Sequence, residues 1–213
     1  MTIRKNEDFG SSISRPPNLI ELHSDREIAH RYVQRSGSEF DSSFTVTRGS
    51  IAQALGIDRK ITQSADTNSI NMTQVTIDLI KIEYRTIANR ILTHELICAG
   101  SVLLGRTRIC NTLLIVSNSG IVNGRDVFPR AHPNDGLLDV LVIDQEISLR
   151  QRLIAWHKSK IGVHLPHPQL HVSRHTQFEW TGNPSRMVVD GVILHRVDWA
   201  RFSIVKDAFT ICF

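Results

Sequence analysis

The chain has 213 residues, 41% of them hydrophobic and 22% charged, with a formal net charge of +4 and a pI near 9.2. That is enough chain to bury a core in one or two domains, and the composition excludes a disordered or fibrous protein. No apolar run reaches the roughly 18 residues needed to span a bilayer, and Met1–Asp8 lacks the apolar centre of a signal peptide, so a cytoplasmic location is expected. The positive charge favours anionic partners, whether nucleotides, acidic lipid headgroups or nucleic acid, without choosing among them. Cys98, Cys110 and Cys212 stand at no metal or redox spacing and read as buried free thiols.

Residues 1–18, with Gly10-Ser-Ser and Pro16-Pro17, read as a loose arm. Within Leu19–Gln34, Ser24-Asp-Arg-Glu27 has the capping-box pattern, followed by Ile28, Ala29, Tyr32 and Val33 at helical spacing, and a short helix is predicted. Ser50–Leu55 predicts another, ended by Gly56. Residues 60–73 are polar and turn-like, as in a linker. Val75–Arg85 then alternates in hydropathy and predicts a strand, as do Ile91–Ala99 and Arg106–Val116, with Gly100 and Gly105 as punctuation.

Residues 123–136 are crowded with turn formers and feed Leu137–Ile143, an apolar run of the kind buried on both faces of a sheet. Asp135 stands before Gly136, where its carboxylate and nearby carbonyls could converge on a hard cation such as Mg2+. An Asp-Gly turn between two strands is the commoner use of that pair. Ser148-Leu-Arg-Gln151 is a second capping-box pattern and opens a helix to about Lys160. Leu149, Leu153 and Trp156 share one face of it, with Arg150, Arg152, Lys158 and Lys160 adding charge. Such a helix either packs its stripe on its own domain or lies on an anionic membrane. His164, His167 and His171 suggest a metal only weakly, because prolines separate them and no acidic or thiol ligand lies among them. The tail reads as short strands: Gln169–Ser173, Gln177–Trp180, Met187–Val189, Val192–Val197, Arg201–Lys206 and Ala208–Phe213, with turns at Gly182-Asn-Pro184 and Asp190-Gly191.

Three segments carry a resemblance. Pro129-Arg-Ala-His-Pro-Asn-Asp-Gly-Leu-Leu-Asp-Val140, Met187-Val-Val-Asp-Gly191 and Thr47–Arg59 resemble, in order, the P-x-A-x-P-x-D-G-L-L-D-V, V-x-V-D-G-E and G-T-x-N-x-x-A-x-x-L-G-I segments of bacterial diacylglycerol and lipid kinases, relatives of sphingosine and NAD kinases. The resemblance implies an α+β fold in three parts. These are the loose arm, an α/β remnant of a nucleotide-binding domain over residues 19–73, and an antiparallel, β-sandwich-like C-terminal domain over residues 74–213. It implies ATP and Mg2+ as cofactors. Thr47 and Arg48 fall at the nucleotide site, and the Mg2+ ligands become the Asp135 side chain with the backbone carbonyls of His132 and Leu137.

The chain departs from that pattern where chemistry would be done. The family's Gly-Gly-Asp-Gly-Thr phosphate loop falls on Glu21-Leu-His-Ser-Asp25, and without glycines the backbone cannot approach phosphates closely. The family's carboxylate after Asp190-Gly191 is Val192, which can neither accept a proton nor bind metal. Two function classes follow. One is a degenerate, non-catalytic lipid- or assembly-binding module, the other an active ATP-dependent kinase of a diacylglycerol-type hydroxyl. A lipid ligand, peripheral membrane contact and a homodimer are the partners these readings admit. Nucleic acid is not expected, since aromatics are 6% and no stacking motif is present.

Overall fold

The computed structural model describes residues 10–34, 43–57, 71–105 and 112–213. In its first part lie β1 (Ser11–Ser14), β2 (Leu19–Leu22), α1 (Asp25–Gln34), β3 (Ser43–Val46) and α2 (Ser50–Ala54). Then come β4 (Asn71–Thr86), β5 (Asn89–Cys98), β6 (Ser101–Gly105), β7 (Thr112–Ser117), β8 (Ile121–Val122), β9 (Arg125–Asp126) and β10 (Leu138–Ile143). The chain ends with α3 (Leu149–Lys158), β11 (Leu170–His175), β12 (Gln177–Val189) and β13 (Val192–Cys212). Among the described residues, no helix is long and apolar enough to cross a membrane.

Among the described residues, nine strands form one sheet in the order β1-β4-β13-β12-β6-β7-β10-β11, with β5 also paired to β4. Its ladders are antiparallel. Ile80, Ile82 and Phe202 on one side of the sheet order share a buried core with Leu114, Val116, Leu138 and Val140 on the other. Strands so far apart in the ladder meet only if the sheet folds over itself, which gives the expected β-sandwich. Within β4, Ile77 and Leu79 enter one core and Ile80 and Ile82 enter the other, so this strand is buried on both faces.

Near the N-terminus, β2, α1 and β3 form a small unit whose two strands pair in parallel. Helix α1 opens as the sequence suggests: Ser24 Oγ accepts the Glu27 N–H at 3.3 Å, while the Glu27 carboxylate takes the His23 N–H at 2.9 Å. Leu22, Ile28, Phe44, Val46 and Ile51 pack in a second core against Val75, Ile77, Phe209 and Ile211 of β4 and β13.

Several elements differ from expectation. Leu19–Leu22, ahead of the predicted helix, forms a strand, because it pairs with Ser43–Val46 and the helix starts at the Ser24 cap. Within the expected loose arm, Ser11–Ser14 pairs with residues 71–74. Strand β5 runs from Asn89, opposite Thr86, to Cys98, opposite Ile80, so the first residues of β4 are left to β1. Ser101–Gly105, between two glycines, is a strand of its own. The tail is not six short strands. Gly182-Asn-Pro184 sits in an irregular stretch of one continuous β12, and Asp207, at φ 49°, marks a shift within one continuous β13. Bulges absorb these residues without reversing the chain, which is also how a strand tolerates proline. The expected linker falls mostly on residues 58–70, and Cys110 and the start of Arg106–Val116 on residues 106–111, all outside the described residues.

Candidate functional site

Five turns meet at one polar cleft of about 260 Å³. The β2–α1 junction brings His23, Ser24 and Asp25, the start of α2 brings Gly49 and Ser50, and Ser101 comes from the start of β6. The β8–β9 turn adds Asn123 and Gly124, and the β12–β13 turn adds Asp190 and Gly191. Asp190 (φ 45°) and Gly191 (φ 80°) form a two-residue hairpin with positive φ at both positions, which is what an Asp-Gly pair favours.

Two carboxylates face each other here. Asp25 is 9% exposed and accepts the N–H groups of Ser50 at 2.7 Å and Ile51 at 3.1 Å. Asp190 accepts those of Ala99 at 3.0 Å, Gly100 at 2.9 Å and Ser101 at 3.0 Å. Gly49 and Gly100 make the approach feasible. A Cβ at Gly49 would come within 2.5 Å of an Asp25 oxygen, and one at Gly100 within 2.6 Å of the other. Burial pushes the Asp25 carboxyl above its usual range, with the like charge of Asp190 adding to the effect and the two backbone donors opposing it. The buried Cys98 donates to Asp190 at 3.2 Å. Burial, then Asp190, push its thiol well above the ordinary value, so it remains a protonated donor.

The residues expected at a nucleotide site flank this cleft rather than line it. Thr47 Oγ1 bonds the His23 ring at 2.9 Å, and Arg48 is exposed. Val192 begins β13 opposite Val189 and brings no carboxylate. The fit to a triphosphate is poor, because the first N–H groups of α2, the donors an anion would seek, already hold the carboxylate of Asp25. The sequence reading missed Asp25. The available signal was an acidic residue placed where an apolar strand gives way to a helix.

The bend at residues 132–137 is held by side chains from elsewhere. Asp78, 1% exposed, accepts the Gly136 N–H at 2.7 Å and that of Asp207 at 2.8 Å. Asp135 is ion-paired with Arg174, and its other oxygen takes the Leu137 N–H at 3.0 Å. The His132 ring accepts the Asn134 N–H at 3.2 Å. Both Asp135 oxygens are thus committed, and a guanidinium stands against the carboxylate proposed as a Mg2+ ligand, so His132, Asp135 and Leu137 do not fit a divalent cation in this arrangement. Among the described residues, no group of three acidic, histidine or cysteine side chains converges as a metal site. His164, His167 and His171 follow suit: His167 takes the Gln169 N–H and His171 bonds Asp144 at 3.2 Å.

Arg174 also bonds Asp139 at 3.1 Å. Burial lifts the Asp139 carboxyl to about 6, against the pull of Arg174. A carboxyl with a raised folded pKa binds its proton more tightly folded than unfolded. The associated stability is full below pH 4 and is lost as pH rises through 6, on the order of 3 kcal/mol if the whole shift is expressed. We expect Asp139→Asn to flatten this slope. Urea midpoints at pH 5 and pH 7.5 should differ less in the variant than in the parent.

An apolar cavity of about 150 Å³ lies between α3 and the outer face of the sheet. Leu103, Ile115, Leu141 and Ile143 form its floor, while Leu149, Leu153 and Trp156 of α3, together with His164, complete the wall. Ser148 caps α3 in the expected capping box with Gln151. The stripe on α3 is not sealed: Leu149 is 63% and Leu153 59% exposed, and Ile161 and Val163 beyond the helix are exposed as well.

A family model described as the YegS C-terminal NAD kinase beta sandwich-like domain matches residues 52–211. Among solved structures, a diacylglycerol kinase from Bacillus anthracis strain Sterne is similar, with a TM-score of 0.58 at 13% identity over 91% of this chain and 75% of that one. Two further structures from that strain, described as candidate diacylglycerol kinases, give TM-scores of 0.58 and 0.55 at 11% and 9% identity, over 91% of this chain and 77% of each of theirs. At these identities the likeness is one of fold. No curated protein matches the chain in sequence.

Proposed function

Because the chain belongs to the family of the YegS C-terminal NAD kinase beta sandwich-like domain, we propose that it is a lipid-kinase-like protein that binds a lipid chain and does not transfer phosphate. The observation that carries this reading is Asp25. Its carboxylate occupies the α2 amides in a cleft that lacks both a glycine loop and the acidic residue replaced by Val192. Phosphoryl transfer is chiefly positioning and charge neutralisation, and a fixed carboxylate repels what it would have to hold. The apolar cavity under α3 supplies the binding half, with room for hydrocarbon.

The same half has the features of a peripheral membrane contact on the cytoplasmic side. Exposed Leu149, Leu153, Ile161 and Val163 lie among Arg150, Lys158 and Lys160, apolar groups to enter the acyl boundary and cations to meet acidic headgroups. The protein is expected to float with vesicles containing phosphatidylglycerol. Leu153→Glu should weaken that binding about tenfold or more, the equivalent of keeping one leucine in water. Equal flotation of parent and variant would refute the role of this face.

One observation favours the active kinase as a second reading. Asp25 is a carboxylate with a raised pKa in a polar cleft, a property of general bases that work near neutral pH. It would require the α2 amides to be released to ATP and Mg2+ to be recruited by another arrangement. Titration with Mg-ATP separates the readings. No heat of binding supports the first, and saturable binding the second.

A further inference from the structure

His164 is a feature of the cavity wall that a plain hydrocarbon would not satisfy. It is 5% exposed, and neither ring nitrogen makes a hydrogen bond of ordinary geometry. The Val127 backbone is near enough to attract the ring proton, and Asp126 lies close by. Burial holds the imidazole below its usual pKa, so at neutral pH it is uncharged, with one N–H and one bare lone pair. If the Val127 carbonyl draws the N–H, the lone pair is left without a donor in an apolar cavity, which is costly unless a ligand supplies one.

Two other polar side chains of the wall, Ser159 and Arg152, are already engaged. Ser159 donates to the Trp156 carbonyl at 2.8 Å, and Arg152 to the carbonyls of Ile147 at 3.4 Å and Asp144 at 3.1 Å. A carboxylate entering here would meet Asp126 and no uncommitted cation on the wall. An ether or ester oxygen could not donate. We propose that the cavity under α3 binds an alkyl or acyl chain bearing a hydroxyl group, held by a hydrogen bond from that hydroxyl to His164. The inference rests on the lipid-binding reading above and makes its ligand specific. A volume of about 150 Å³ matches that of engineered apolar cavities that take benzene, so about six carbons are enclosed. A longer chain would leave past Leu149 and Leu153.

The test uses the full chain and three isosteric or near-isosteric probes, 1-hexanol, methyl pentyl ether and hexanoate, with n-hexane as the purely apolar reference. Binding is followed by calorimetry and by the 15N shifts of the His164 ring. Hexanol is expected to bind about tenfold tighter than the ether, to shift the acceptor nitrogen of His164, and to lose its advantage in His164→Leu. Should that variant fail to fold, the probe series and ring shifts of the parent still decide. Ether or hexanoate binding as tightly as hexanol, or an unmoved ring nitrogen, would overturn the hydroxyl assignment while leaving a lipid cavity. No binding by any probe, hexane included, would remove the lipid reading as well.

Discussion

Phe209→Ala should cost about 3–5 kcal/mol, the usual range for emptying a buried aromatic site. Phe209 is fully buried and packs on Phe44 with ring centroids 5.1 Å apart. It stands in the core that joins β2, α1 and β3 to the ends of β4 and β13. The void would therefore open at the seam between the small parallel unit and the large antiparallel sheet. In a chain of this size, each kcal/mol moves the thermal midpoint by about 2–4 °C. A fall of roughly 10 °C is expected, and limited proteolysis should cut first within residues 19–57. Phe209→Leu, which keeps most of the volume, should recover much of the loss. An unchanged midpoint in Phe209→Ala would mean that the two units do not share a core.

Asp190→Ala is expected to cost about 4 kcal/mol by two independent routes. The carboxylate is the acceptor for the backbone N–H groups of Ala99, Gly100 and Ser101, and charge-assisted bonds of this kind contribute about 1.5–3 kcal/mol each where they are shielded. Water will recover part of that in a half-buried turn. The substitution also places alanine at φ 45°, a left-handed conformation that costs a Cβ-bearing residue about 1 kcal/mol. Asp190→Asn separates the routes, since asparagine accepts the left-handed turn and offers one carbonyl oxygen. Its denaturant midpoint should fall between those of parent and alanine variant. A parent-like midpoint for alanine would show that the turn needs no acceptor.

Much of the large sheet was legible because its signals are local. Alternation in residues 75–85, the apolar run ending at Ile143 and the Asp190-Gly191 pair each follow from periodicity or turn chemistry over a few residues. The capped helix after Ser148 was legible for the same reason. The continuity of β12 and β13 was not. Gly182, Pro184 and Asp207 are turn formers by type, and only pairing with neighbouring strands decides that the chain absorbs them as irregularities.

The site was hidden further. Asp25 and Asp190 are 165 positions apart in sequence, and they meet only because Gly49 and Gly100 leave room between them. A glycine retained for a close approach looks, in one sequence, like a glycine retained for a turn. The Asp135 bend shows the opposite difficulty. Its motif is plain in the sequence, but Arg174, which pairs with Asp135 and Asp139, comes from β11, 39 residues beyond Asp135. His164 gave a misleading signal, since its neighbours His167 and His171 suggested a metal and its buried place beside an apolar cavity depends on how α3 covers the sheet.

We propose that Asp25 fills the anion position of the cleft and leaves no phosphoryl transfer to this chain. The most direct measurement incubates the full chain with Mg2+, γ-labelled ATP and mixed vesicles containing diacylglycerol, and follows label in the lipid fraction, with Asp25→Asn run in parallel. The account predicts no label above a protein-free control for either protein. Label that accumulates with time in the presence of the parent, and is lost with Asp25→Asn, would contradict it and make Asp25 a catalytic base.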